Sequence, residues 1–121
     1  MMMTHDEIAS YCLSKKGASK SYPFDATTAV FKVGDKMFVL YGEAHDDVRL
    51  NLKCDPLYAL ELRALYESVL PGYHMSKKHW NTVICNHEVP DTLVKEWIDD
   101  SYALVLGSLT KKLQKEIVLK G

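Results

Sequence analysis

The chain has 121 residues, of which 47% are hydrophobic and 26% are charged, and its formal net charge is −1. This length suits one globular domain with a single core, and the composition excludes disordered and collagen-like chains. Because the net charge is near zero, any binding of nucleic acid or of an anionic membrane must come from local clusters of charge. We therefore predict a single domain over residues 1–121.

The sequence predicts a soluble, cytoplasmic protein. Its amino terminus is acidic where a secretory signal would be basic, and no apolar run approaches the roughly 20 residues that cross a bilayer. Cys12, Cys54 and Cys85 are odd in number and widely spaced, which argues against a disulfide framework or a zinc knuckle. We expect reduced thiols and no contact with membranes.

The beginning of the chain predicts a helix followed by a loop. Thr4 and Glu7 have the spacing of a capping box, which indicates a helix over residues 4–16. Residues 18–25 contain Pro23 and show no periodicity, which is typical of a loop.

The next segments alternate in hydrophobicity, as half-buried strands do. Residues 29–33 and 37–41 predict a β-hairpin, and its tight turn requires a positive φ at Gly34. Every second residue of Val48–Lys53 is apolar, so this segment predicts a strand with one face in water.

A helix is predicted to follow that strand. Asp55 and Pro56 are typical of a helix start, because aspartate caps the first turn and proline fits the first helical position. Leu62 and Leu65 belong to its predicted buried stripe, and residues 71–72, Pro-Gly, are predicted to stop it.

The remaining segments predict one or two strands and two helices. Strand character is strongest in Trp80–Cys85, and apolar residues including Trp97 recur at helical spacing between Asp91, the predicted N-cap, and Gly107. A last helix is predicted to begin at a cap residue, Ser108 or Thr110. This order of elements predicts an α+β fold, with an antiparallel β-sheet and helices packed on one face.

One run of the sequence carries a family resemblance. Residues 71–83, Pro-Gly-Tyr-His-Met-Ser-Lys-Lys-His-Trp-Asn-Thr-Val, resemble the signature of the MmcQ/YjbR family, and three further pieces fall in the family's order and spacing: residues 36–38, 52–56 and 100–102. Ser76, where asparagine is common in relatives, and residues 86–88 depart from the family pattern. The resemblance implies a compact fold called CyaY-like. It also implies DNA binding, a function assigned to the family from its likeness to the "double wing" domain of a phage transcription factor.

A basic and aromatic surface is the candidate site. Residues 68–87 contain no acidic residue, and their lysines, histidines and aromatic rings suit phosphate neutralisation with sugar or base contacts alongside. Arg49, Asn51 and Lys53 share one strand face, which would extend the same positive surface if that strand neighbours the Trp80 strand. The candidate nucleic-acid-binding residues are Arg49, Lys53, Tyr73, His74, Lys77, Lys78, His79, Trp80 and Asn81.

Other interpretations of these residues remain open. The lysines fit an ordinary solvated turn and sheet face, with Trp80 in the core and the Pro-Gly-Tyr-His-Met run serving folding alone. Alternatively, the same segment binds a small anion or a phosphorylated metabolite, and the family's occurrence beside antibiotic genes suggests a link with drug resistance. A concave pocket there would favour the small anion, and a convex basic ridge would favour nucleic acid.

Neither a metal site nor a catalytic site is predicted. His74, His79, Cys85 and His87 offer donor atoms that zinc prefers, but their spacing matches no zinc pattern. The cysteines lie in apolar patterns, and no phosphate-binding loop or nucleophile motif is present. We expect a monomer that is not an enzyme and that needs no cofactor.

Overall fold

The fold consists of helices and strands in the order that the α+β prediction requires. The structure is a computed structural model, and it describes residues 3–72 and 75–120. The elements in chain order are α1 (His5–Leu13), β1 (Ala18–Ser21), β2 (Thr28–Val33), β3 (Lys36–Gly42), β4 (Val48–Lys53), α2 (Pro56–Leu65), β5 (Val69–Pro71), β6 (Trp80–Cys85), α3 (Asp91–Gly107) and α4 (Lys111–Lys120). The strands form one sheet in the order β1-β2-β3-β4-β6-β5, and every neighbouring pair is antiparallel.

The sheet has a buried face and an open face, because side chains alternate along each strand. Phe31, Leu50 and Val83 point to the buried face, where they pack in one apolar cluster with helical residues such as Trp97 and Ile98. The open face carries a second, smaller apolar cluster, and no helical residue belongs to it in the described part of the chain. The predicted α+β fold is thus confirmed, with the helices packed on one face of an antiparallel sheet.

A β-bulge interrupts the pairing of β2 with β3. Phe31 pairs with Val39 and Lys32 pairs with Met37, so Phe38 is one extra residue on β3. Phe38 and Val39 therefore both pack into the main core, while Met37 joins the open-face cluster. The strict alternation predicted for residues 37–41 is wrong at this point, because a bulge shifts the phase of the strand by one residue.

The predicted helix starts and the predicted hairpin turn are present. Thr4 and Glu7 exchange both hydrogen bonds of a capping box at α1. The Asp55 carboxylate accepts hydrogen bonds from two backbone N–H groups of the first turn of α2. Gly34 has φ +54° and Asp35 has φ +67°, and two positive φ values are the geometry of a type I′ hairpin turn.

Two strands were not predicted. β1 lies inside residues 18–25, which were predicted to be a loop. Its polar sequence has no strand pattern, and it is a strand because its backbone pairs with β2. α2 was predicted to continue as far as residue 70, but it ends at Leu65, and the next residue, Tyr66, is extended. The strand β5 follows in its place. The predicted burial of Leu65 is also wrong, since this side chain is 65% exposed at the helix end.

The other helix boundaries agree more closely with the sequence. α1 ends at Leu13, three residues earlier than predicted. α3 ends at Gly107 as predicted, but the predicted N-cap is wrong, because Asp91 is the first helical residue, Pro90 is the N-cap and no side chain caps the helix. Thr110 caps α4 by accepting a hydrogen bond from the backbone N–H of Leu113. Within the described residues, none of the helices has the length and apolar character needed to cross a membrane.

Candidate nucleic-acid interface

The two basic segments of the sequence meet on the open face of the sheet. β4 and β6 are direct neighbours, and in their register Lys53 lies opposite Trp80 and Arg49 lies opposite Ile84. The backbone N–H of Cys54 also donates to the carbonyl of His79 at 2.8 Å. The end of β4 that carries Lys53 is therefore joined to the basic loop, residues 75–79, which leads into β6.

Trp80 is the centre of the open-face apolar cluster. Its side chain packs with Val30 and Leu40, and the partly buried Met37 and Met75 complete the cluster. Trp80 is only 9% exposed, so most of its indole ring is covered by this packing. Trp80 therefore supports the open face from beneath, and Met37 and Met75 form most of the apolar surface that remains accessible there.

The basic loop is a tight turn held by backbone hydrogen bonds. The N–H groups of His79 and Trp80 both donate to the carbonyl of Ser76, at 3.1 Å and 2.9 Å. At the base of the loop, the N–H of Gly72 donates to the carbonyl of Trp80 at 2.9 Å. These bonds fix the path of the backbone while the side chains of Lys78 and His79 remain exposed.

Arg63 of α2 fastens this loop to the helical layer. Its guanidinium donates to the Oδ1 atom of Asn81 at 2.7 Å, to the carbonyl of Trp80 at 3.2 Å, and also to the carbonyl of Lys77. An arginine has several donors in a rigid planar group, so one side chain can satisfy several acceptors. The sequence offered no signal for this role, because two of the three acceptors are backbone carbonyls.

The lysines of this surface have no acidic partner among the residues that the structure describes. In the described ranges, no ion pair involves Lys53, Lys77 or Lys78, although the Nζ atom of Lys77 donates to the carbonyl of Gly72 at 3.2 Å. Lys32 belongs to the same surface, because it points to the open face and pairs across the strands with Met37. We define the basic surface as Lys32, Lys53, Lys77, Lys78 and His79.

Lys32 was not among the predicted site residues. Its side chain alternates with the buried Phe31 and Val33, so its outward direction was readable from the strand pattern. Its distance from Lys53 was not readable, because it depends on β3 lying between their two strands.

Several predicted site residues do not join the basic surface. Arg49 lies at the far end of β4, four residues or about 13 Å of strand from Lys53, and its Nε atom donates to Asp47 at 3.0 Å. Asn81 points to the buried face, where it is 2% exposed and its Nδ2 atom donates to the carbonyl of Ala59 at 3.3 Å. Asn81 therefore has a structural role. The predicted site residues Tyr73 and His74 lie outside the described residues.

The thiols lie in surroundings that keep them protonated. Burial raises the pKa of Cys12 and of Cys85 to about 12, and the pKa of the half-buried Cys54 to about 11. Cys85 ends β6, whereas His87 lies beyond the strand with φ +77°, so these two residues do not lie on one strand face. Across the described residues, no group of three or more histidine, cysteine or acidic side chains is arranged to hold a metal ion.

A crevice lies beside the end of β4 that carries Lys53. It opens between α2 and α3, and its lining is mainly apolar, with Leu62 and Trp97 on the two helices and Leu52 on β4. The half-buried Cys54 and the more exposed Asp100 lie at the same crevice, and partial burial raises the pKa of Asp100. Lys53 also lines the crevice, whereas Lys77 and Lys78 do not, so the crevice does not bring the lysines of the basic surface together.

These features define an α+β protein whose helices cover one face of an antiparallel sheet and whose lysines border the other. The family model named YjbR matches residues 13–104 of the chain. The chain is 41% identical over 96 residues to the uncharacterized protein YbdF of Escherichia coli O157:H7, and this match covers 79% of each protein. It is 32% identical over 116 residues to the uncharacterized protein YjbR of Escherichia coli K12, which covers 96% of this chain and 98% of YjbR. The chain belongs to the YjbR family.

Two crystal structures resemble this fold. Deinococcus radiodurans protein DR2400, which contains the family domain DUF419, is 40% identical and superposes with a TM-score of 0.91. That comparison covers 96% of this chain and 88% of the other. A protein from Pseudomonas syringae is 26% identical, with a TM-score of 0.72, and covers 85% of this chain and 99% of its own. The predicted membership of the YjbR family and the predicted fold class are confirmed.

Proposed function

We propose that this protein binds nucleic acid, DNA in the first instance, by contacting phosphates with Lys53, Lys77, Lys78 and His79. The observation that carries the proposal is the meeting of two lysine-bearing segments on the face of the sheet without helices. Lysines without acidic partners are available to neutralise phosphates, and the release of condensed counterions then favours binding. The family's DNA-binding assignment agrees with this chemistry but is a likeness of fold.

The shape of the surface favours an extended polyanion over a small anion. A small anion is usually held in a concave site by convergent polar groups. Here Lys77 and Lys78 are exposed on a turn, and neither of them lines the mainly apolar crevice between α2 and α3. A long ligand with repeated charges gains from lysines that are spread along a face, since each contact adds to the affinity.

The salt dependence of binding tests the proposal. If Lys53, Lys77 and Lys78 each neutralise one phosphate, log K falls with log salt at a slope near −0.9 per contact on a duplex, or about −2.7, and near −0.7 per contact on a single strand, or about −2.1. A fourfold increase in salt is then expected to weaken binding roughly 40-fold for the duplex and roughly 18-fold for the single strand. Fluorescence anisotropy of labelled duplex and single-stranded oligonucleotides measures this slope, with dissociation constants expected on the order of 10⁻⁴ to 10⁻⁶ M at physiological salt.

Charge reversal in the loop supplies the specific test. The double variant Lys77→Glu/Lys78→Glu is expected to flatten the slope by about two units with little change in melting temperature, because exposed lysines contribute little stability. Lys111→Glu/Lys115→Glu is the matched control, since both lysines are exposed on α4 and the change in net charge is the same. If the loop variant binds like wild type, or both variants weaken binding equally, the basic surface is not the site.

A further inference from the structure

We infer that the nucleic acid bound by the open face is single-stranded, an inference that rests on the proposed function. The observation behind it is that the lysines of the basic surface border an apolar patch. This patch consists of Met37, Met75 and the edge of Trp80, and both methionines are only partly buried.

The strand order places Met37 between two cations, Lys32 and Lys53, and places Lys53 between Met37 and Trp80. Lys32 on β2 lies opposite Met37 on β3, and Lys53 on the next strand, β4, lies opposite Trp80 on β6. Neighbouring strands are about 4.8 Å apart, so the backbones of Lys32 and Lys53 are separated by about 10 Å. A chain that crosses the strands therefore meets a cation, an apolar contact and a second cation in turn.

This alternation matches a single strand and does not match a duplex. In a duplex the bases are stacked inside, and a protein reaches their edges by inserting a helix or a β-ribbon into a groove. The helices of this fold contact the sheet from its buried face, and the open face is formed by strands. A duplex would therefore contact only the lysines, whereas a single strand has unstacked bases that can cover the apolar patch as well.

The chemistry of the patch also predicts how the bases are held. Trp80 is only 9% exposed, so its ring cannot serve as a stacking platform. The thioethers of Met37 and Met75 are flexible and polarisable, and such side chains adapt to partners of different shape. The base contact is therefore expected to tolerate different sequences and to add less affinity than stacking on an exposed aromatic ring does.

The experiment compares single-stranded and duplex 12-mers of one mixed sequence at low salt by fluorescence anisotropy. Both DNA and RNA single strands are used, because either sugar satisfies the contacts described, and the tighter of the two identifies the source. Single strands are expected to bind at least about tenfold more tightly than the duplex. Met37→Gln, which keeps the size of the side chain but makes it polar, is expected to weaken single-strand binding roughly threefold to tenfold without changing the salt slope.

Met37→Leu is the matched control and is expected to bind within about twofold of wild type, since the patch stays apolar. If Met37→Gln does not fold, Met75→Gln tests the same patch from the basic loop. A duplex bound as tightly as the single strand would overturn the inference and leave the proposed function standing. Absence of saturable binding by every oligonucleotide at low salt would instead refute the proposed function, and the inference with it.

Discussion

Ser101 of α3 hydrogen-bonds to the backbones of two neighbouring strands, β3 and β4, and removing its hydroxyl is expected to lower the free energy of unfolding. The hydroxyl donates to the carbonyl of Phe38 at 2.6 Å and accepts from the backbone N–H of Lys53 at 2.9 Å. Ser101 is fully buried, so no outside water reaches its side chain directly. One side chain thus bridges β3 and β4 just beyond their last paired residues, Val39 and Leu52.

The expected effect of Ser101→Ala follows from those two bonds. Each buried backbone group that loses its hydrogen-bond partner costs about 1–3 kcal/mol. Lys53 is half-buried, so its N–H can bond to water and recover part of that cost. We therefore expect Ser101→Ala to lower the free energy of unfolding by about 2–4 kcal/mol. Urea unfolding followed by circular dichroism measures it, with an unchanged m-value as the sign of a pure stability effect. Ser108→Ala is the control, because that exposed hydroxyl donates only to Val105 within its own helix end, and a change of about 0.5 kcal/mol or less is expected. A loss below about 1 kcal/mol for Ser101→Ala would refute the bridge.

Two further predictions concern the core and its pH dependence. Leu62→Ala is expected to cost about 2–5 kcal/mol because Leu62 is buried, whereas Leu65→Ala, at an exposed position of the same helix, is expected to change the unfolding free energy by about 0.5 kcal/mol or less. Equal losses in urea unfolding would show that the buried face of α2 is assigned wrongly. Burial raises the pKa of Asp99, but the hydrogen bond from Lys15, the hydrogen bond from Tyr11 and the charge of Lys15 outweigh burial and bring that pKa below its usual value. A lowered folded-state pKa adds stability above the unfolded-state value of about 3.9, and this stability disappears as the pH falls through the folded-state pKa. The melting temperature of Asp99→Asn is therefore expected to fall less than that of wild type between about pH 6 and about pH 3. An equal fall in both proteins would contradict this account.

The sequence predicted the helix starts and the turn whose structure depends only on neighbouring residues. The capping box at Thr4, the cap at Asp55 and the turn at Gly34 each depend on side chains or backbone within three residues, so the sequence alone reveals them. β1 is different, because Ala18–Ser21 is polar and becomes a strand only through its partner β2. The three residues of β5 are likewise too few to show a period.

The alternation of side chains along a strand explains which residues of the candidate site were predicted correctly and which were not. Trp80 and Asn81 were both assigned to the site, but adjacent residues of a strand point to opposite faces, so both could not serve one surface. Trp80 faces the open side and Asn81 faces α2. Lys32 was missed for the converse reason, since its phase was visible and the strand order that brings it near Lys53 was not.

The run from Pro71 to Val83 divides into residues that folding explains and residues that it does not. Gly72 is required because a Cβ atom there would lie 2.8 Å from the Cβ of Trp80 and 3.0 Å from its carbonyl oxygen. Asn81 is required because it receives the guanidinium of Arg63 and is buried against α2. The side chains of Lys78 and His79 make no comparable contact and are exposed, although their backbone is fixed by the turn and by Arg63. The partly buried Arg63 therefore holds the backbone of an exposed basic turn in place, and such preorganisation favours the proposed binding more than a solvated loop would.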